Sequence, residues 1–272
     1  MSSDLAGLLL ERNLAFVERG AGEVDFALLR EDAEANAVRC LAIARRVRDA
    51  IALANGRPRV LELGIGYAYQ TTTLRSELGH AFDLHAVDHP RRRYLDQPQF
   101  ARLLEEQRVV FARCDLLRDE LPWPELRFDA IIFADVIEHL PPTEVPRLLA
   151  ELRGRLAPRG RLIATSTNLP AFYRIATLAL GNGLVLDPPH PLDAAPDTYG
   201  HIRLYGRADV DILLERAGLR LVDWQFGNWE LVYVPRETAQ QRLARAAQRV
   251  LPRLVPRWST SWLVAAERAQ MA

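Results

Sequence analysis

The sequence contains no lysine, so all 35 of its basic residues are arginines. This absence excludes two kinds of chemistry, the Schiff-base lysine of pyridoxal phosphate enzymes and the phosphate-loop lysine of nucleotide hydrolases. The 35 basic residues are matched by 35 acidic residues, which gives a formal net charge of zero. No overall field therefore favours nucleic acid or an anionic membrane surface, and only a local patch would do so.

Cysteines and long apolar runs are also scarce. The two cysteines, Cys40 and Cys114, are too few for a disulfide framework or a cysteine metal cluster, which predicts a reducing cytoplasm. The N-terminal residues show no basic segment followed by a long apolar run, so no signal peptide is expected. The apolar segment 175–186 is interrupted by glycines and too short for a membrane span. We therefore expect a cytoplasmic protein without a membrane span.

The order of apolar segments predicts an α/β fold. Residues 1–55 have the pattern of two helices, and strands then alternate with helices through residues 56–168. This alternation is typical of a parallel, doubly wound sheet. Residues 169–205 are rich in proline and irregular, which indicates a lid insertion over a substrate. Residues 206–272 regain the regular pattern and are interpreted as the C-terminal part of the same domain.

A glycine turn after the first strand carries the strongest functional signal. The apolar run that ends at Leu63 continues into a G-x-G-x-A turn at Gly64 and Gly66, and a helix follows. Such a turn lets the backbone approach a ligand, and the start of the helix offers unpaired N–H groups. Glu62 precedes the glycines, where dinucleotide-binding turns usually carry an apolar residue. Asp88 ends the next strand about 20 residues later, where a ribose acceptor is expected.

Further polar residues follow the third and fourth strands. Asp115 comes directly after a strand that ends near residue 112. The segment Asp135–His139 follows the fourth strand, and ligands bind at the carboxyl ends of strands in open α/β sheets. The sequence therefore predicts one ligand site along this edge of the sheet.

Taken together, these segments resemble the class I S-adenosylmethionine-dependent methyltransferases, in particular small-molecule enzymes similar to those of the ubiquinone pathway. The resemblance covers residues 55–168 well and 200–268 more loosely. The motifs that carry it, in the order and spacing of that family, are E-L-G-I-G at 62–66, A-V-D at 86–88, R-C-D-L at 113–116, F-D-A-I-I-F-A-D-V-I-E-H-L at 128–140 and a fifth strand at 160–166.

The resemblance implies a Rossmann-like, doubly wound sheet of seven strands, mostly parallel and ending in an antiparallel hairpin. N-terminal helices would cover the core at residues 56–168, which would bind S-adenosylmethionine. The sixth and seventh strands would come from residues 219–226 and 261–266.

The resemblance also assigns the contacts of S-adenosylmethionine. The two glycines would pass beneath its amino acid portion, and Glu62 would organise the loop or accept a hydrogen bond from the ammonium. Asp88 would accept both ribose hydroxyls, and Asp115 would bind the adenine amino group. The expected cofactor-binding residues are Glu62, Gly64, Gly66, Tyr67, Asp88, His89, Asp115, Leu116, Ala134 and Asp135.

The D-x-x-E-H segment resembles a metal-binding E-x-x-E-H motif. Ubiquinone-pathway O-methyltransferases and small-RNA 3′-end methyltransferases use it to hold a magnesium-type ion, and a remote histidine, here His201 or His190, would complete the site. Asp135 is shorter than the glutamate it replaces, so we expect metal-free chemistry. His139 would then line the pocket and accept a proton, or be structural. The catalytic candidates are His139, Glu138 and His201; the candidate ligands of a metal are these three and Asp135.

The insertion contributes further candidates for substrate contacts. Asn168 follows the fifth strand and is expected to face the substrate. Arg203 would pair with a substrate carboxylate or phosphate, or else anchor its loop to an acid. The remaining aromatic and polar candidates are Phe172, Tyr173, His190, Tyr199, His201 and Tyr205.

The predicted function is methyl transfer to oxygen or nitrogen of a small-molecule acceptor from a biosynthetic pathway of the quinone, sugar or secondary-metabolite type. A homodimer is possible. A metal-dependent RNA 3′-end 2′-O-methyltransferase is disfavoured by the neutral charge. A dinucleotide-dependent oxidoreductase is disfavoured by Glu62 and the short glycine pattern. The intact motifs argue mildly against a non-catalytic cofactor binder.

Overall fold

The computed structural model describes residues 2–16, 26–181, 200–229 and 238–269. Its strands form one seven-stranded sheet in the order β3-β2-β1-β4-β5-β7-β6, where the strands are β1 (Arg59–Leu63), β2 (Asp83–Asp88), β3 (Val109–Arg113), β4 (Phe128–Ala134), β5 (Leu156–Thr167), β6 (Leu219–Gly227) and β7 (Ser261–Arg268). Strands β1 to β5 pair in parallel, and β7 lies antiparallel between β5 and β6. This arrangement confirms the predicted fold class.

Helices cover both faces of the sheet, which is why its central strands are apolar on both sides. They are α1 (Ser2–Phe16), α2 (Phe26–Ile51), α3 (Tyr69–Leu78), α4 (Pro98–Glu106), α5 (Val145–Arg155), α6 (Phe172–Ala179), α7 (Arg207–Arg216) and α8 (Ala239–Val250). Helices α2 and α3 pack on one face through Ile43, Val47 and Leu74. Helices α5 and α7 pack on the other through Leu148 and Leu214.

The predicted alternation of strands and helices is observed, and two segments differ from the prediction. The fifth strand, predicted from residue 160, begins at Leu156 with an irregular stretch, and its register with β4 shifts between Phe128 and Ala130. A Cβ on Gly160 would meet the Phe128 carbonyl oxygen at 2.5 Å, so the two strands approach too closely there for a side chain. The second difference is α6, which is regular structure inside the segment predicted as irregular. The candidates His190 and Tyr199 lie outside the described residues.

Helix α8 and two short 3-10 turns, Leu251–Arg253 and Pro256–Trp258, connect β6 to β7. Since β6 runs parallel to β5, this connection lies at the same edge of the sheet as the carboxyl ends of the parallel strands. No helix among the described residues is long and apolar enough to cross a membrane.

Candidate active site

A cavity of about 550 Å³ opens at the carboxyl ends of β1, β2 and β4. Its volume lies within the range of about 300–1,000 Å³ that small-molecule sites occupy. The residues predicted to bind the cofactor all line it, namely Glu62, Gly64, Gly66, Tyr67, Asp88, His89, Asp115, Leu116, Ala134 and Asp135. The structure thus brings the whole predicted set to one place.

The glycine turn needs glycine for two separate reasons. Gly64 and Gly66 have φ angles of +72° and +53°, in the left-handed region that side chains disfavour. In addition, a Cβ on Gly64 would lie 2.8 Å from Cγ2 of Val136, which follows β4. The turn therefore packs directly against the neighbouring strand end and keeps its backbone on the cavity wall.

Asp88 is buried and accepts three hydrogen bonds at the end of β2. The donors are the Gly66 N–H at 2.8 Å, the His89 N–H at 2.7 Å and the Tyr94 hydroxyl at 2.5 Å. Burial, and then the Asp88 charge, raise the pKa of Tyr94, so that its hydroxyl remains a donor. These hydrogen bonds fix the orientation of the Asp88 carboxylate, whose two oxygens offer about four acceptor positions in all. Tyr94 was not anticipated from the sequence, although it lies only six residues after Asp88.

Glu62 is buried at the end of β1, where it accepts a hydrogen bond from the Thr71 hydroxyl at 2.6 Å. Burial raises the pKa of Glu62 to about 8, because a carboxylate loses hydration there. The nearby Asp88 charge raises this pKa further, and the Thr71 hydrogen bond lowers it. The side chain is therefore mostly protonated at neutral pH, in contrast to an ordinary strand-end glutamate.

Asp115 lies at the other end of the cavity and organises its own loop. Its Oδ1 accepts the Leu117 N–H at 3.0 Å, and its Oδ2 lies 3.4 Å from Nε2 of His89. The loops after β2 and β3 thus meet beside the cavity. The assignment of Asp115 to the adenine amino group stays a prediction.

Arg39 is a cavity residue that the sequence did not reveal. It lies on α2, where its guanidinium forms an ion pair with Asp135 and a hydrogen bond with Asn36. Asp135 follows β4 with a φ of +51°, and its N–H donates to the Thr165 carbonyl at 2.9 Å. Nothing in the local pattern around Arg39 marks it, since it is one of many arginines on an amphipathic helix.

The catalytic candidates form a second cluster beside the cavity. Glu138, His139 and His201 each offer one ligand atom, and these atoms lie within 4.8 Å of one another. Only His139 of the three lines the cavity. Its Nδ1 lies 3.2 Å from the Gly200 carbonyl oxygen, and its ring centroid lies 5.0 Å from that of His201.

The Glu138 backbone holds the second histidine in place, because its carbonyl accepts the N–H groups of Ile202 at 2.7 Å and Arg203 at 3.2 Å. Burial, and then the neighbouring His139 and Arg174, lower the pKa of His201 to about 4. His201 is therefore neutral at physiological pH.

The structure also places Asp135, Asn168 and Arg203. Asp135 lies outside the cluster of Glu138 and the two histidines, since its carboxylate pairs with Arg39. Asn168 was expected to face the substrate, but its side chain is buried and donates to the carbonyls of Arg257 at 2.9 Å and Ser259 at 2.8 Å. Arg203 pairs with Asp209 at 2.8 Å, which is the loop-anchoring alternative.

The comparisons with known proteins identify the family of this chain. A family model described as a methyltransferase domain matches residues 34–223. The chain belongs to the methyltransferase family. That match covers more than half of the chain and includes Arg39, the glycine turn and the cluster at 138–139. No curated protein matches this chain.

Solved structures of methyltransferases share the fold at low identity. The magnesium protoporphyrin IX methyltransferase of Synechocystis PCC 6803, with bound S-adenosylhomocysteine, is 17% identical and covers 97% of this chain and 94% of its own, with a TM-score of 0.54. The 1,6-didemethyltoxoflavin-N1-methyltransferase of Burkholderia thailandensis is 18% identical, covers 99% and 91%, and has a TM-score of 0.53. The [4+2]-cyclase SpnF is 15% identical, covers 98% and 94%, and also scores 0.53.

These similarities show the fold, and the cyclase illustrates that the fold alone does not fix a reaction. Membership of the family confirms the predicted enzyme class and its donor: the chain is an S-adenosylmethionine-dependent methyltransferase. The described residues fit that donor, because buried Asp88 offers carboxylate oxygens to a diol and the glycine turn leaves room for close backbone contact.

Replacement of Asp88 by alanine is expected to weaken the binding of S-adenosylhomocysteine at least about tenfold. A charged, bidentate hydrogen bond is worth roughly 1.5–3 kcal/mol, which corresponds to that factor or more. Isothermal titration calorimetry measures the effect, and Asp96→Ala, on the same loop but exposed, is the matched control. Preferential binding of a nicotinamide dinucleotide would contradict the assignment.

The affinity for S-adenosylhomocysteine is expected to rise with pH from about pH 6 to about pH 8, by up to about tenfold per pH unit, and then to level off. Below its raised pKa of about 8, Glu62 is protonated, and a ligand ammonium that stays charged over this range favours the carboxylate. Binding therefore releases a proton, which calorimetry in buffers of different ionisation enthalpy detects. Glu62→Gln should abolish the dependence; an unchanged pH profile in this variant would refute the coupling.

Proposed function

We propose that this methyltransferase transfers a methyl group to an oxygen or nitrogen of a small-molecule acceptor, and that His139 removes the acceptor's proton. One observation carries the proposal. His139 lines the cofactor cavity while its Nδ1 lies 3.2 Å from the Gly200 carbonyl oxygen. A general base has to reach the acceptor from the wall of the site, and this residue is placed there.

The Gly200 contact determines which ring nitrogen of His139 can act as the base. A carbonyl oxygen only accepts hydrogen bonds, so Nδ1 must carry the hydrogen. Nε2 is then the ring nitrogen that carries the lone pair, as in other histidines oriented by a carbonyl. The neighbouring His201, with its lowered pKa of about 4, remains neutral, and therefore adds no repulsion when His139 becomes protonated.

S-adenosylmethionine supplies an electrophilic methyl group on a sulfonium. The residues of the chain would bind and orient it: Asp88 would accept hydrogen bonds from the ribose hydroxyls, and Glu62 would accept one from the ammonium. We add Arg39 to this set. Its ion pair with Asp135 places a cation and an anion side by side on the cavity wall, and the amino acid end of the donor carries the complementary carboxylate and ammonium. Alignment of the acceptor with the methyl group then provides most of the rate acceleration, because the sulfonium already activates the methyl group.

The proposed methyl transfer uses no metal ion. An ion would take Glu138, His139 and His201, of which two do not line the cavity, and Asp135 is engaged by Arg39. A small-molecule acceptor is supported by two enzymes of similar structure, which are named as methyltransferases of magnesium protoporphyrin IX and of 1,6-didemethyltoxoflavin. A zero net charge favours such an acceptor over RNA.

We also propose that residues 169–205 act as a wall or lid of the acceptor site, between the core at 56–168 and the C-terminal part at 206–272. Support comes from the hydrogen bonds that join residues 202 and 203 to the Glu138 carbonyl, directly beside His139. Residues 1–55 would cover the donor from above, consistent with Arg39 on the cavity wall. A cytoplasmic setting and a homodimer remain predictions.

His139→Ala is expected to slow turnover about 10²-fold, the lower range for a lost general base, without changing the affinity for S-adenosylhomocysteine. Turnover is measured as S-adenosylhomocysteine release with an acceptor selected from a panel of phenols and nitrogen heterocycles. His80→Ala, an exposed histidine away from the cavity, is the control. Chelator treatment should leave the rate unchanged. Loss of activity with chelator, restored by magnesium or manganese, would replace this mechanism by a metal-dependent one.

Arg39→Gln is expected to weaken S-adenosylhomocysteine binding at least about tenfold, because a charged hydrogen bond to the carboxylate is lost. The affinity for 5′-methylthioadenosine, which lacks the amino acid portion, should not change. Arg48→Gln, on the same helix and exposed, should alter neither value. An equal loss of affinity for both ligands would indicate that Arg39 supports the cavity as a whole rather than the carboxylate.

A further inference from the structure

The connection from β6 to β7 presents an exposed surface on which arginines and aliphatic side chains lie side by side. Leu243, Val250 and Leu254 are 72%, 56% and 77% exposed, although each is strongly apolar. We call this surface the basic-aliphatic face, and its members are Arg242, Leu243, Arg249, Val250, Arg253, Leu254 and Arg257, all of them exposed.

The orientation of α8 is fixed by its opposite side. Gln241, Ala244 and Gln248 are buried there. The Gln248 side chain donates to the Asn228 side chain at 3.1 Å and to the Trp258 carbonyl at 2.7 Å, and accepts the Tyr173 N–H at 2.8 Å. Helical spacing therefore places Leu243 and Val250, seven residues apart, on one outward stripe. The arginines at 242 and 249 form the adjacent stripe.

The charge of this segment departs from that of the whole chain. Residues 238–260 contain five arginines and no acidic residue, whereas the complete sequence has equal numbers of basic and acidic residues. Arg249 pairs with Glu31 on α2 at 2.5 Å. Glu31 offsets the charge of Arg249, and the other arginines concentrate a local positive field on a surface that also carries exposed aliphatic groups.

This face lies at the same edge of the sheet as the donor cavity. The connection begins where β6 ends, opposite the first residue of β7 and the last residue of β5. Helix α6 packs beside α8 and exposes further apolar residues, Ile175 and Leu178. Exposed apolar side chains therefore occur on both of these neighbouring helices, at the edge of the sheet where the donor cavity opens.

We propose that the basic-aliphatic face docks the protein onto an anionic lipid surface. Aliphatic side chains between arginines match the two layers of such a surface, since leucines enter the acyl boundary while guanidinium groups bind lipid phosphates. A polynucleotide would use the arginines and leave the leucines in water, so the lipid fits more of the observed surface. For the acceptor, the inference rests on the proposed function: the substrate would be an amphipathic molecule that reaches the cavity from the membrane.

Co-sedimentation of the full chain with vesicles tests the docking itself. We expect binding to vesicles of phosphatidylcholine with phosphatidylglycerol, little binding to phosphatidylcholine alone, and a loss of binding at high salt. The triple variant Arg242→Gln, Arg253→Gln, Arg257→Gln should lower the partition coefficient at least about tenfold, because each arginine near an anionic surface contributes about fivefold. Leu243→Ser with Leu254→Ser should lower it about tenfold at unchanged net charge.

Three exposed arginines elsewhere, in Arg102→Gln, Arg159→Gln and Arg216→Gln, make the same change in charge and should leave binding nearly intact. Equal losses in the two triple variants, or no preference for anionic vesicles, would overturn the proposal. Binding of heparin or RNA but not of vesicles would assign the face to a polyanion. If the protein is a dimer and Leu243→Ser dissociates it, the basic-aliphatic face binds a second copy of the chain. S-adenosylhomocysteine binding is scored separately, so a failure of docking is distinguished from a failure of the proposed function.

Discussion

The hydrogen bond from the Gly66 N–H to the Asp88 carboxylate is the contact on which the site depends, since it joins the ends of two adjacent strands. The Gly64 and Ile65 N–H groups reinforce it by donating to the Val87 carbonyl at 2.9 and 3.2 Å. The positive φ angles of the turn make these donors available without strain. The donor cavity is therefore largely organised by the sheet itself, and its electrostatics follow from the burial of Glu62 beside Asp88.

Much of the fold, and the grouping of the candidate donor-binding residues around one cavity, could be predicted because the signals are local. Apolar periodicity identifies each strand, and a polar residue directly after a parallel strand has to lie at the carboxyl edge. Arg39 could not be found in this way, because its role depends on how a remote helix packs over the sheet. Asn168 and Arg203 are residue types suited to substrate contacts, but their tertiary neighbours determine what they bind. Asn168 donates to backbone carbonyls of the β6–β7 connection, and Arg203 pairs with Asp209.

The short turn at 137–139 links the donor cavity to the segment that precedes α7. Its His139 lines the donor cavity, while the backbone carbonyl of Glu138 accepts hydrogen bonds from the N–H groups of residues 202 and 203, which precede α7. A displacement of that segment would move the Gly200 carbonyl and so change the orientation of the imidazole. The orientation of the His139 ring and the position of the segment that contains Gly200 are therefore linked.

The place of β7 in the sheet has a consequence for synthesis on the ribosome. This strand is the last of the sheet to be translated, and yet it lies between β5 and β6 rather than at an edge. Until residues 261–268 leave the exit tunnel, β5 exposes an unpaired edge and β6 has no neighbour to pair with. The nascent chain must hold strands β1 to β5 together before β6 and β7 join the sheet. The sheet is then completed in a single late step, in which β7 inserts between β5 and β6 rather than adding at the outer edge.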